Sequence, residues 1–348
     1  MGERTMLALG KAKRGEGLTL ERKPIPEPRR GEVLIRVQTT GICGTDVHIY
    51  NWDKWAQGRI KPPLTTGHEF VGVIEKAGEG VHHVKPGDRV SAEGHITCGH
   101  CHFCRTGQGH ICKDVEIIGV DRDGCFAEFL RMPVENLWPV APGIPNRYAA
   151  VFDPLGNAMH TVMAESLSGK SVLITGAGAI GLFAIPIAKV MGASTVMVVE
   201  PNPYRQQLAR AVKADLVLDP TKDDVEKIIL GETHNLGVEV LLEMSGHPQA
   251  FRQGFKLLRG AGTAVLLGIP SDELAINWAE DVIFKAATIR GINGRRMFDT
   301  WFQSQDFLNR NYKKLDPILT HTFPITEYET AFQLLRDGEA GKIILEIN

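Results

Sequence analysis

The chain predicts an α/β protein of two domains, one β-rich and one a doubly wound parallel sheet. Three observations carry that expectation. At 348 residues the chain is long enough for two separately buried cores. Residues 5–92 read as short β-type runs punctuated by proline and glycine. Residues 166–293 alternate apolar β-type runs with helical patterns, the signature of a parallel sheet with crossover helices.

In the first region, Met6–Leu9, Leu18–Arg22 and Val33–Val37 are strand-like, with Pro24, Pro26, Pro28 and Gly31 between them. Phe70–Lys76 and Lys85–Ser91 continue the β texture, giving a β-rich, barrel-like region. Asp46–Pro63 reads as a long loop. Its two tryptophans, Trp52 and Trp55, either pin that loop or wall a pocket.

In the second region, Lys170–Thr175 is a strand leading into Gly176-Ala-Gly178-Ala-Ile180-Gly181, which opens a helix. G-x-G-x-x-G means little alone, but here a strand precedes it and a helix follows. Glu200 ends the next strand, Thr195–Val199. Gly176 permits the tight turn, Gly178 admits a pyrophosphate to the backbone, and Gly181 lets helix and strand pack closely. The helix N-terminus offers free N–H groups to phosphate. Glu200 can accept bonds from ribose hydroxyls and would repel a 2′-phosphate, so NAD is expected over NADP. Arg205 is read as flanking the adenosine ribose. Strands at Asp215–Asp219, Val238–Glu243, Gly262–Gly268 and Ala287–Asn293 alternate with helices at Asp223–Leu230 and Pro248–Leu258. Ligands lie beyond the carboxyl ends of such strands, which points to Leu267, Gly268, Ile269, Ile292 and Asn293 on the nicotinamide side. Pro186 falls inside the first helix and predicts a bend there. Beyond Arg295, helices at Trp301–Arg310 and Tyr328–Arg336 and a last strand from Lys342 return the chain to the first domain. The expected boundaries are 1–155 with 294–348, and 156–293. The active site is expected in the cleft.

Composition narrows the function. A net charge of −2 and a pI near 6.6 offer no basic surface for nucleic acid. No run approaches the roughly 18 apolar residues of a membrane span, and the N-terminus lacks a secretory h-region. A cytoplasmic location is the default. In that setting clustered cysteines read as metal ligands rather than disulfides.

Cys98, Cys101, Cys104 and Cys112 form C-x2-C-x2-C-x7-C within a lobe at 95–113. Four thiolates on one loop close a tetrahedral zinc site. A ferredoxin cluster would use a shorter last gap followed by proline. His95, His100, His102 and His110 are spare neighbours, expected on the surface, and Cys125 is expected as a buried small hydrophobe. A second centre is expected at Cys43 and His68, a thiolate and an imidazole suited to zinc. A catalytic zinc needs three protein ligands and an open place, so a carboxylate must complete it: Glu69 or Asp153. Asp153 also suits an N-cap, with Pro154 at the first helical position. Thr45 and His48 read as a proton path leading away from the metal, since histidine titrates near neutrality.

These motifs together resemble the zinc-dependent medium-chain alcohol dehydrogenases, over essentially the whole chain. The resemblance rests on Ile42-Cys-Gly-Thr-Asp46 with His48, on Gly67-His-Glu69, and on the four-cysteine loop. It implies a GroES-like catalytic domain beside a Rossmann domain. It also implies a catalytic zinc on Cys43, His68 and Glu69 with Asp153 nearby, and a structural zinc on the four cysteines. Many members carry a second cysteine where this chain has Asp153. The longer runs Cys43–Asp53, Glu93–Cys101 and Phe152–Ala158 resemble the branch that oxidises the 3-hydroxyl of L-threonine to 2-amino-3-oxobutanoate with NAD, and that branch is homotetrameric. In the implied mechanism the hydroxyl binds zinc, its proton leaves through Thr45 toward His48, and hydride passes to NAD. The alternative is an NAD- and zinc-dependent polyol or diol dehydrogenase of the sorbitol or butanediol type. A zinc-ribbon nucleic-acid-binding protein is disfavoured by the dinucleotide fingerprint and the charge.

Overall fold

The computed structural model describes residues 4–347. In chain order the first elements are β1 (Thr5–Lys11), β2 (Thr19–Pro24), β3 (Glu32–Gly41), α1 (Gly44–Asn51), α2 (Lys54–Arg59), β4 (Leu64–Thr65), β5 (Glu69–Ala77), β6 (Arg89–Ala92) and β7 (His95–Ile96). Then come α3 (His102–Arg105), β8 (Glu116–Ile117), β9 (Phe129–Pro133), β10 (Leu137–Pro139), α4 (Asn146–Ala149) and α5 (Phe152–Met163). The strand–helix alternation follows as β11 (Ser171–Thr175), α6 (Ala179–Val190), β12 (Thr195–Val199), α7 (Pro203–Ala211), β13 (Leu216–Leu218), α8 (Val225–Glu232), β14 (Val238–Glu243), α9 (Pro248–Leu257), β15 (Leu258–Leu266) and β16 (Thr288–Gly291). The chain ends with α10 (Asp299–Asn311), β17 (Leu319–Pro324), α11 (Tyr328–Asp337) and β18 (Lys342–Glu346).

The chain divides into two compact units. One takes in the chain up to Pro154, with Arg296–Tyr312 and Leu319 onward. The other is Leu155–Arg295 with Lys313–Ile318, a short stretch expected in the first domain. In the first unit a seven-stranded sheet runs β10-β6-β5-β3-β18-β17, with β9 also paired to β3, beside the small sheet β2-β1-β4. Its core is aliphatic and aromatic: Val33, Ile35, Phe70, Ile74, Phe126, Phe332 and Ile343 are all buried. β3 is buried on both faces along much of its length, so its apolar run shows no clean alternation.

The expected loop at Asp46–Pro63 is instead largely helical, as α1 and α2. Asp53 explains the second helix: its side chain accepts the Ala56 N–H as an N-cap. Trp52 turns the chain between the two helices in a left-handed conformation, φ 55°. It packs on the core and under the Lys11 ammonium, so it pins this segment, whereas Trp55 is exposed.

The second unit is a parallel six-stranded sheet in the order β13-β12-β11-β14-β15-β16. The order reverses at β11, which pairs with β12 on one side and β14 on the other. Pro186 lies buried inside α6, which continues to Val190. α7 was not foreseen, although Asn202-Pro203 announces it: Asn202 caps the Arg205 N–H and Pro203 takes the first turn. Among the described residues no helix is long and apolar enough to cross a membrane.

Candidate active site

Cys43 leaves the end of β3 as the N-cap of α1 in an extended conformation. Its N–H donates to Asp46 Oδ2 at 2.9 Å, and its thiol forms no disulfide. Asp46 Oδ1 accepts the Gly67 N–H at 3.2 Å, tying the start of α1 to the turn that carries His68. That turn requires glycine. Gly67 has φ +88°, and a Cβ there would strike the Phe126 ring. His68 then opens onto β5, and Glu69 is its first residue.

The result is a convergence of three unlike donors. Cys43 Sγ, a His68 ring nitrogen and a Glu69 carboxylate oxygen all lie within 4.8 Å of one another. His68 and Glu69 are buried, yet His68 Nδ1 and Glu69 Oε2 have no hydrogen-bond partner. Buried polar atoms are nearly always satisfied, so these two orphans fit donors held for an ion. Charge says the same. Burial alone would lower the His68 pKa, but Cys43, Asp46 and Asp153 overcome it and push the imidazole up to about 10. Burial raises the Glu69 carboxyl, with Lys342 opposing that rise. A negative pocket with soft and borderline donors suits a divalent cation of the zinc type.

Two residues that shape this centre escaped sequence reasoning. Lys342, at the start of β18, is fully buried; its ammonium donates to Glu69 Oε1 at 2.6 Å and to the Ile42 carbonyl at 2.8 Å. Asp46 is equally buried, and burial raises its pKa. An acid three positions after an N-cap is a recognisable signal, so Asp46 was findable. A lysine heading an apolar strand looks like any surface lysine.

Asp153 lies in the first turn of α5, which begins at Phe152, so it is not the N-cap and Pro154 is not the first helical residue. The reason is that α4 runs through Ala150 and Val151 almost directly into α5, leaving no extended cap. Asp153 is buried, and its charge acts on His68, Glu69 and Lys342. Thr45 Oγ1 is 3.8 Å from Cys43 Sγ. His48 stands one turn further along α1, exposed, with Nδ1 2.5 Å from Asp53 Oδ2 and its ring edge-on to Trp55. Burial opposes it, but the Ala56 N–H and His48 hold the Asp53 carboxyl below its usual range.

The four thiols of Cys98, Cys101, Cys104 and Cys112 also converge within 4.8 Å. Sulfur–sulfur separations of 3.5 Å for Cys101–Cys104 and 3.6 Å for Cys98–Cys112 are far beyond a disulfide bond. The Cys104 N–H pulls the Cys101 thiol down to about 6, toward the thiolate that metals bind. His100 and His102 are exposed, while His95 and His110 are partly buried rather than on the surface. His95 Nδ1 is 2.8 Å from the buried Glu93. Cys125 is fully buried, with its thiol raised well above the ordinary value by burial.

In the second unit a tight glycine turn joins β11 to α6. Gly176 takes φ +88°. A Cβ at Gly181 would collide with the Gly176 carbonyl, whereas one at Gly178 would meet nothing within 4 Å. Ile180 sits in the first turn of α6. Glu200 is buried at the end of β12, and its carboxylate braces the turn: Oε2 accepts the Ala177 N–H at 2.6 Å and Oε1 the Asn202 N–H at 2.9 Å. Each oxygen keeps a lone pair beyond these bonds. Arg205 lies partly buried in the first turn of α7. Leu267 and Gly268 follow β15, Ile269 is almost fully exposed, and Ile292 and Asn293 follow β16.

The chain matches two family descriptions: "Alcohol dehydrogenase GroES-like domain" over residues 29–142 and "Zinc-binding dehydrogenase" over residues 179–310. It is 47% identical over 341 residues to an L-threonine 3-dehydrogenase of Caldanaerobacter subterraneus subsp. tengcongensis, covering 98% of each chain. It is also 47% identical to that of Pyrococcus horikoshii, covering 97% of this chain and 98% of the other. Its fold is similar to an alcohol dehydrogenase of Thermotoga maritima at TM-score 0.91 and 29% identity, over 99% of this chain and 100% of the other. Two further solved dehydrogenases, each at 27% identity, TM-score 0.89 and the same coverage, hold NADP in the protein from Sinorhizobium meliloti and NADH in that from Escherichia coli. With near-complete coverage at that identity, the chain belongs to the zinc-containing medium-chain alcohol dehydrogenase family, among its L-threonine 3-dehydrogenases.

Proposed function

We propose that this chain oxidises the 3-hydroxyl of L-threonine to 2-amino-3-oxobutanoate, with zinc bound and NAD taking the hydride. The observation that carries the reading is the convergence of Cys43, His68 and Glu69, with orphaned Nδ1 and Oε2, in a chain whose relatives at 44–47% identity are described as L-threonine 3-dehydrogenases. Cys43, His68 and Glu69 would hold the catalytic zinc, and Cys98, Cys101, Cys104 and Cys112 a structural one. When bound, the catalytic ion supplies Lewis-acid polarisation of the substrate hydroxyl, and the dinucleotide supplies the hydride acceptor.

This chain's own residues do the rest. Thr45, beside Cys43, accepts the hydroxyl proton and passes it toward His48, which lies on the same face of α1 at the i+3 position. His48 is exposed and braced by Asp53, so it can release that proton to water. Lys342 fixes one oxygen of Glu69 and leaves the other for the ion. Asp153 adds negative charge close by and sets the charge balance of the centre. Gly176, Gly178, Ile180 and Gly181 seat the pyrophosphate at the N-terminus of α6. Glu200 excludes a 2′-phosphate by charge, which favours NAD, and Arg205 flanks the ribose. Leu267, Gly268, Ile269, Ile292 and Asn293 lie at the carboxyl ends of β15 and β16, where the nicotinamide is expected.

A homotetramer and a cytoplasmic location go with this reading. Supporting assembly, Trp278, Ile283 and Phe284 are 59%, 67% and 75% exposed in the segment leading to the edge strand β16, where copies of the chain would cover them. The polyol or diol alternative has the weaker support among relatives. NAD reduction measured with L-threonine, sorbitol and 2,3-butanediol separates the two. Threonine must be turned over at least tenfold more efficiently, and a preference for either polyol sinks the threonine reading.

A further inference from the structure

One buried acid has no part in the site described so far. Glu243 closes β14 and is fully buried, yet its carboxylate is a collecting point for donors. Oε1 accepts the Ser245 N–H at 3.0 Å, the Ser245 hydroxyl in a short bond, the Gly246 N–H at 3.1 Å and the Thr175 hydroxyl at 3.3 Å. Oε2 shares the Gly246 N–H at 3.2 Å. The main-chain carbonyl of the same residue accepts the N–H groups of Leu267 and Gly268 at 2.9 and 3.0 Å. Three segments leaving the carboxyl ends of β11, β14 and β15 therefore meet on this one residue.

The glycines around it report how closely these segments lie. A Cβ at Gly268 would collide with Glu243 Oε2 and with the Gly246 nitrogen. A Cβ at Gly176 would come within 2.8 Å of Ser245 Cβ. The position in the sheet matters as much. β11 and β14 are neighbours where the strand order reverses, and ligands of such sheets lie beyond the carboxyl ends there. Glu200 ends β12 on one side of β11, the side of the adenosine half. Glu243 ends β14 on the other.

We infer that Glu243 is a positioning residue for the nicotinamide half of the dinucleotide, locking Thr175–Gly176, Ser245–Gly246 and Leu267–Gly268 into one receiving surface without touching the ring. This rests on the nicotinamide-dinucleotide reading of the site. A carboxylate suits the task because it accepts at both oxygens and donates nothing. Glutamine has nearly the same shape but presents an NH2 group to N–H donors, so it removes acceptor capacity at constant volume.

The test is Glu243→Gln in the full zinc-loaded enzyme, read by fluorescence titration with NADH, by steady-state kinetics and by melting with and without NADH. The dissociation constant for NADH and KM for NAD should each rise about tenfold, the loss of roughly one charge-assisted contact. KM for threonine should stay within about twofold. The melting temperature without cofactor should fall by a few degrees, because glutamine leaves buried donors unsatisfied, and the increment added by NADH should shrink as well. Ser245→Ala, which keeps the acid and loses the hydroxyl, should raise the NADH dissociation constant by about threefold. Unchanged NADH binding in both variants overturns the role of Glu243 alone. So does a parallel rise in the KM values for NAD and threonine, which marks general loosening. Wild-type enzyme that binds no NADH overturns the cofactor reading as well.

Discussion

The four-cysteine lobe and the Cys43–His68–Glu69 centre gather their donors in opposite ways. In the lobe, four identical thiols come from one loop, held by short helical turns and by backbone N–H groups aimed at sulfur. All four thiols lie between Cys98 and Cys112. In the other centre three different donors come from the end of β3 and the start of β5, and they depend on partners far away in sequence. Lys342 reaches Glu69 across 273 positions, and Asp46 joins Cys43 to Gly67. Under the function proposed above, four thiolates would close the lobe around a zinc ion, and the other centre would offer three ligands with a place left for a hydroxyl. A local spacing therefore gathers the four thiols, and long-range topology gathers the other three donors and adjusts their charge from several directions.

Substitutions can break or sharpen that contrast. The largest effect should come from Cys43→Ser or His68→Ala. Losing several kcal/mol of charge stabilisation should cut threonine-dependent NAD reduction by about a thousandfold or more, with the lobe's metal and the fold retained. Turnover assays with metal analysis check this, and near-normal turnover refutes it. Next is Lys342→Met. In the zinc-free protein it leaves the Glu69 carboxylate buried and unpaired, so stability of the first unit should fall by about 3–5 kcal/mol, measured by urea unfolding with a chelator present. Cys104→Ser should act the other way round, as a test of the lobe. The protein should lose one zinc and melt earlier, while the remaining folded enzyme keeps turnover within about tenfold. The smallest effect belongs to His48→Gln, which leaves every proposed ligand in place. Turnover should fall only several-fold, and the acidic limb of its pH profile should shift. An unshifted profile removes His48 from the proton path.

What could be read from the chain follows the same division. The cysteine spacing pointed to the lobe because all four thiols are local. The strand expected before Gly176 and the helix after it are both present, and steric contacts at Gly181 explain why glycine is required there. Local signals were also misjudged. Two prolines and two tryptophans made Asp46–Pro63 look irregular, although the Asp53 cap builds a helix there. Asp-Pro at 153–154 looked like a cap, but α4 feeds the chain straight into α5. Glu200 looked like a ribose acceptor, yet its carboxylate also holds the glycine turn, a contact no spacing reveals. Lys342 and Glu243 were invisible for a different reason. Each sits at the end of an ordinary apolar strand, and only the sheet order shows that one lies under a ligand carboxylate and the other at the reversal point.

Zinc counted per chain in the purified protein, beside the same count for His68→Ala, bears most directly on whether Cys43 and His68 share one ion. Two zinc ions in the wild type and one in the variant, with threonine oxidation lost, is the expected result. A variant that keeps both ions and its full activity would contradict it.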